Sequence, residues 1–128
     1  MAHKIEELPI YSKVMEFCSA VNALLEKPGL RKDCDLHKQI SRANSSIPSN
    51  MVEGFEQGTH RAFANFLTYS KGSLAEVLAR LKQAHFKKYV TADELGDRLM
   101  AGEELGRMLG GFIKYLRRSD WRNRGGNV

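Results

Sequence analysis

Apolar residues recur at steps of three and four along most of the chain, the spacing of an amphipathic helix rather than a strand. Leu8, Tyr11, Met15, Cys18, Val21 and Leu25 mark a first segment over residues 9–26. Lys27-Pro28-Gly29 closes it, because proline lacks an amide donor and glycine accepts turn geometry. A second segment begins near Asp35, carries the stripe Leu36, Ile40, Ala43, Ile47 and Met51, and ends at Gly58. Thr59 then stands as N-cap for a third segment over about residues 60–89, lined by Phe63, Leu67, Ser70, Leu74, Val77, Leu78, Leu81 and Ala84. The fourth opens at Thr91, with Asp93 and Glu94 in the first turn, where acids complement the helix dipole. Leu95, Leu99, Leu105, Leu109, Phe112 and Leu116 continue it. From Ser119 onward the chain reads as an extended basic tail around Trp121, so residues 1–118 form the domain and 119–128 the tail. No stretch alternates as a strand does and the links are short. The expectation is an all-α, antiparallel, up-down-up-down four-helix bundle.

One run strains that pattern. Ser45-Ser46-Ile47-Pro48-Ser49-Asn50-Met51-Val52-Glu53-Gly54-Phe55 places a proline inside the second segment. An interior proline forfeits one backbone hydrogen bond and crowds the carbonyl four residues back, at a cost of about 3 kcal/mol. The apolar stripe nevertheless passes through it in register, and a break would leave two pieces of marginal length. The run therefore predicts a kinked continuous helix, in which Ser45, Ser46, Ser49 or Asn50 bonds the freed groups. Ser46, Ser49, Asn50 and Glu53 also offer a nucleophile and an acid–base group. Their nearest histidines, His37 and His60, lie outside the run, and neither a strand-turn-helix elbow nor a glycine-rich phosphate loop accompanies them. No catalytic residues are assigned.

Composition narrows the class. At 128 residues the chain has the size of one domain and buries a core without disulfides or metal. It is 42% hydrophobic and 27% charged, ordinary values for a folded protein. Two cysteines, Cys18 and Cys34, are too few for a disulfide scaffold, and the first residues lack the apolar core of a signal peptide. No run approaches the roughly 18 apolar residues of a membrane span. A reducing, cytoplasmic setting is expected.

The net charge of +5 is concentrated at one end. Residues 114–124 hold Lys114, Arg117, Arg118, Arg122 and Arg124 against the single acid Asp120. Such a cluster suits a polyanion, RNA or DNA, through phosphate contacts and counterion release. Trp121 adds a stacking or interface anchor. Lys82, Lys87 and Lys88 with Phe86 and Tyr89 form a second basic-aromatic cluster, which also reads as snorkelling lysines over aromatics that cap the bundle.

Gly102, Gly106 and Gly110 repeat every fourth position of the fourth segment, at about 1 kcal/mol each against alanine. Close approach of another helix would compensate, either within the chain or between subunits, with Gly72, Ala75 and Ala79 as a matching strip. Cys34 and His37 have ligand spacing, but a zinc site needs about four ligands and no second pair exists. No cofactor, metal or small-molecule substrate is implied.

The proline run, followed by Phe63-Ala64-Asn65-Phe66-Leu67 and Gly72-Ser73-Leu74-Ala75-Glu76, resembles the family of four-helix bundle proteins first noticed in intervening sequences of 23S ribosomal RNA genes. The matching positions are Ser46, Ile47, Pro48, Ser49, Asn50, Glu53 and Gly54, then Phe63, Phe66, Leu67, Gly72, Ser73, Leu74 and Glu76. This chain has Glu56 and Gln57 where the family usually carries a basic residue, and its tail lies outside the resemblance. The resemblance implies a compact bundle that assembles as a ring, commonly of five. It also implies kinship with the accessory variability determinant of diversity-generating retroelements, which binds nucleic acid and a reverse transcriptase. The combined expectation is a non-enzymatic homopentamer that binds RNA, DNA or a nucleic-acid enzyme, with a protein-interaction scaffold as the alternative.

Overall fold

A computed structural model describes residues 2–123, the last two by backbone alone. Among them every regular element is helical. A short 3₁₀ turn at Ile5–Glu7 precedes α1 (Pro9–Leu25), α2 (Pro28–Lys32), α3 (Cys34–Glu56), α4 (His60–Phe86) and α5 (Ala92–Asn123). Four of the five are long and pack together around one apolar core.

Local chemistry sets the ends. Pro9 and Pro28 each start a helix, at the position where a missing amide costs nothing. The Asp33 carboxylate accepts from the Leu36 amide at 3.2 Å, and Thr59 Oγ1 accepts from Ala62 at 3.1 Å. Thr91 and Glu94 cap α5 reciprocally: Thr91 Oγ1 takes the Glu94 amide at 3.1 Å, while Glu94 Oε1 takes the Thr91 amide at 2.8 Å. Gly58, at φ 82°, makes the turn into α4 that a side chain would disfavour.

The stripes foreseen for α3 and α4 are buried throughout, save for a half-buried Leu78. That of α1 is rotated. Ile10, Val14, Phe17, Val21 and Leu24 form the inner line beside Cys18 and Leu25, while Met15 is 42% exposed. Apolar residues on both flanks of α1 left two arcs compatible with the spacing, and its neighbours chose between them. In α5, Ile113 joins Leu105, Leu109 and Leu116 in the core, and Phe112 is half-buried.

Two expectations are corrected. The chain does not leave the helix at Ser119: α5 runs on to Asn123, so the first part of the supposed tail is helical. Arg124 lies outside the described residues. Helix α3 is continuous through Pro48, as expected, but its freed carbonyl is not satisfied locally. The carbonyl four residues before the proline belongs to Asn44, and it accepts the Cys18 thiol of α1 at 3.4 Å. The Asn44 amide returns the contact, donating to the Cys18 carbonyl at 3.0 Å and to Asn22 Oδ1 at 3.1 Å. Burial pushes the Cys18 thiol up to about 11, which keeps the proton this bond requires.

The end of the bundle that joins α1 to α3 is stapled to the turn between α4 and α5. Asp33 accepts from Lys87 Nζ and from the Tyr89 hydroxyl, each at 2.9 Å. Lys87 first, then the Leu36 amide and Tyr89, hold its carboxyl below the usual range. Lys27 pairs with Glu94 across the same end. Gly29 is required there, since a Cβ would stand 2.5 Å from the Tyr89 ring.

Candidate nucleic-acid interface

Part of the proline run bonds within α3 and across to α4. Ser46 Oγ accepts from Asn50 Nδ2 and from Ser73 Oγ of α4, both at 2.9 Å. Asn50 Nδ2 also reaches the Ser46 carbonyl at 2.9 Å, and Ser70 Oγ donates to the Ile47 carbonyl at 2.8 Å. Gly54 lets α4 approach, for a Cβ would come within 2.7 Å of Phe66 Cβ and 3.2 Å of Phe63 Cα. The remaining motif residues, Ser49, Glu53, Gly72 and Glu76, are exposed, and nothing lies within 4 Å of a Cβ built on Gly72.

The glycine repeat of α5 faces α4, in a graded way. A Cβ on Gly102 would meet Leu78 at 2.7 Å, one on Gly106 meets Leu74 at an ordinary 3.8 Å, and one on Gly110 meets Lys71 Nζ at 3.4 Å. The expected matching strip of Gly72, Ala75 and Ala79 is not the partner; those residues point to solvent. Within the chain the approach is tight only at Gly102.

Beyond Gly106 the same seam opens into a cationic face. Lys114, Arg117 and Arg118 are exposed on α5, and Lys71 of α4 extends over Gly110. Arg117 Nη2 donates to Thr68 Oγ1 at 3.3 Å, which fixes its guanidinium across the two helices. None of these four cations makes an ion pair among the described residues. Arg122 is placed by its backbone alone. Lys71 was missed by sequence reading because it lies in a different segment; its only signal was its place directly before the motif Gly72-Ser73-Leu74-Ala75-Glu76.

Aromatic side chains border this face. Tyr115 is 59% exposed and Trp121 49%. The Tyr115 ring lies near-parallel to Phe112 with centroids 6.2 Å apart, and His60 stands 6.5 Å from it. His60 Nδ1 is in turn 2.9 Å from Ser119 Oγ, so the start of α4 is tied to the end of α5.

The other basic-aromatic cluster is differently disposed. Lys87 and Tyr89 are taken by Asp33, while Lys82, Lys88 and Phe86 project outward, Phe86 with 87% exposure. A groove of about 270 Å³ between α1 and α5 is lined by Lys13, Glu16, Arg98 and Glu104 around Phe17, with the Arg98 guanidinium 5.7 Å from that ring. Two bases and two acids there balance, so the groove has no preference for an anion.

Comparison with known proteins places these features. The model of the 23S rRNA-intervening sequence protein family matches residues 6–111. Among solved structures, the chain is similar to a protein of unknown function from the S23 ribosomal protein family of Bacteroides thetaiotaomicron. That similarity has a TM-score of 0.73 at 24% identity, over 82% of this chain and 98% of the other. No curated protein matches. The segment 112–123, which carries most of the cationic face, lies beyond the residues matched by the family model.

Proposed function

This chain belongs to the 23S rRNA-intervening sequence protein family, and from that premise we propose that it is a cytoplasmic, non-enzymatic, self-associating bundle that binds nucleic acid through its α4–α5 face. The observation that carries the binding is the convergence of Lys71, Lys114, Arg117 and Arg118, without an ion pair among the described residues, beside glycines that offer no obstruction. A phosphate backbone supplies the regularly spaced negative charge such a face attracts, and each neutralised phosphate releases counterion. Arg122 and Arg124 extend the cation series toward the chain end.

The up-down-up-down order belongs to the same reading. Gly102, Gly106 and Gly110 meet Leu78, Leu74 and Lys71, so contacts advance along α5 as they retreat along α4. Ser46 with Ser73 and Gly54 with Phe66 run the same way between α3 and α4. Assembly into a ring of five is carried by the family resemblance, and kinship with retroelement accessory determinants rests there too. An uncovered α4 surface with Tyr69 61% exposed beside the open Gly72 favours a subunit contact.

The test replaces Lys114, Arg117 and Arg118 together by glutamine. These side chains are exposed, so the circular dichroism and melting profile should stay as in the native chain. Retention of RNA or DNA in a gel-shift series should fall, and the log–log salt slope should drop by about two to three, near 0.7–0.9 for each phosphate that is no longer neutralised. Unchanged retention and slope would remove the reading. The scaffold alternative predicts intact oligomers by light scattering with no retention even at low salt.

A further inference from the structure

We infer that the α5 end of this face takes unpaired nucleic acid, stacking bases on Tyr115 and Trp121 while Lys114, Arg117 and Arg118 hold the backbone. This rests on the nucleic-acid reading above and names the form of the partner. Arg118 is three positions from each aromatic, so the three side chains follow one another around the outer side of a single helix. Tyr115 and Trp121 are about 9 Å apart along the axis at 1.5 Å per residue. They are also about 120° apart around the axis, so a strand that meets both rings must pass over Arg118 rather than place one isolated base.

Single exposed aromatics are common and signify little. Three observations set this pair apart. Both flank the same arginine, Arg118, which has no ion pair among the described residues. Both border the cationic face, one on each side of Arg118. And the Tyr115 ring has Phe112 and His60 as ring neighbours while it keeps more than half of its surface open. A duplex hides base faces within its own stack and would use only the cations, whereas a single strand presents base faces and phosphates together.

The sole tryptophan of the chain is Trp121, so its fluorescence reports this site alone. The full-length protein is titrated at low salt with twelve-nucleotide oligothymidylate or oligouridylate, with the blunt duplex of oligothymidylate and oligoadenylate, and with an abasic phosphodiester of equal length. Either single strand should quench Trp121 and bind at least about ten-fold tighter than the abasic chain, while the duplex leaves fluorescence unchanged. Trp121→Ala and Tyr115→Ala should each weaken single-strand binding by about five- to a hundred-fold. Trp121→Phe and Tyr115→Phe should retain most of it, which separates loss of a stacking ring from loss of the fold. Equal affinity for abasic and base-bearing chains without quenching, or a duplex bound as tightly as the single strand, overturns this inference and leaves backbone binding standing. Absence of binding to all of them removes both.

Discussion

The α3–α4 seam and the α4–α5 seam share one helix, yet they close by different means. Between α3 and α4 polar contacts join the steric one at Gly54: Ser73 on Ser46, Ser70 on the Ile47 carbonyl, Asn50 folded back on its own turn. Between α4 and α5 along the glycine repeat the contact is steric, with Leu78 seated over Gly102. The first seam carries the proline and is rich in hydroxyl donors. Even there, the carbonyl that Pro48 orphans is satisfied from α1 by Cys18, not from within α3. The second seam has no breaker to accommodate, and its glycines matter only where a neighbouring side chain fills the space. A polar side chain in a seam is thus justified by its partner, and a glycine by what occupies its missing Cβ.

Gly54 combines both demands and should give the largest response. Its Cβ site is blocked by Phe66 Cβ and the Phe63 backbone, neither of which can rotate aside. Gly54→Ala should cost about 1–3 kcal/mol as overpacking, read as a lower urea midpoint at unchanged slope. Native-like stability would mean that the α3–α4 seam opens freely.

Next comes Cys18. Cys18→Ala leaves the Asn44 carbonyl without a donor and should cost about 1–3 kcal/mol, whereas Cys18→Ser keeps a donor and should cost less. The pH dependence follows from the raised thiol. The folded-state value of about 11 exceeds an unfolded thiol near 8.5, so the contribution is complete below about pH 8.5 and declines as pH rises toward 11. Alanine should flatten that alkaline decline in a series of melts. Identical alkaline profiles for the native chain and Cys18→Ala would detach the thiol from the seam.

The smallest effects sharpen the contrast among the glycines. Gly106→Ala has room and should stabilise by about 0.5–1 kcal/mol through lower unfolded-state entropy. Gly102→Ala gains the same entropy but displaces Leu78, so it should show no gain or a net loss. Equal gains at both positions in thermal melts would dissolve the distinction between a packed and an unpacked glycine.

Much of this was readable from the chain alone. Thr59 as a cap, the buried stripes of α3 and α4, and an unbroken helix through Pro48 all follow from local rules, and local rules act over one or two turns. The cationic stretch was legible for the same reason, as consecutive charge on one segment. Lys71 and the placing of His60 beside Tyr115 were not, since each is brought there by another helix.

What the sequence determined by itself was the set of helices, their approximate ends and the chemical character of each surface, because spacing, caps and breakers are properties of neighbouring residues. Only the tertiary structure decided which arc of α1 turned inward, and that Cys18 would meet a carbonyl 26 positions away. It alone also decided which of three similar glycines was tightly covered by a leucine and how far α5 continued past Ser119. A 3.6-residue period specifies a helix and a broad apolar side, but its rotation and partners are set by the shapes of the helices packed against it.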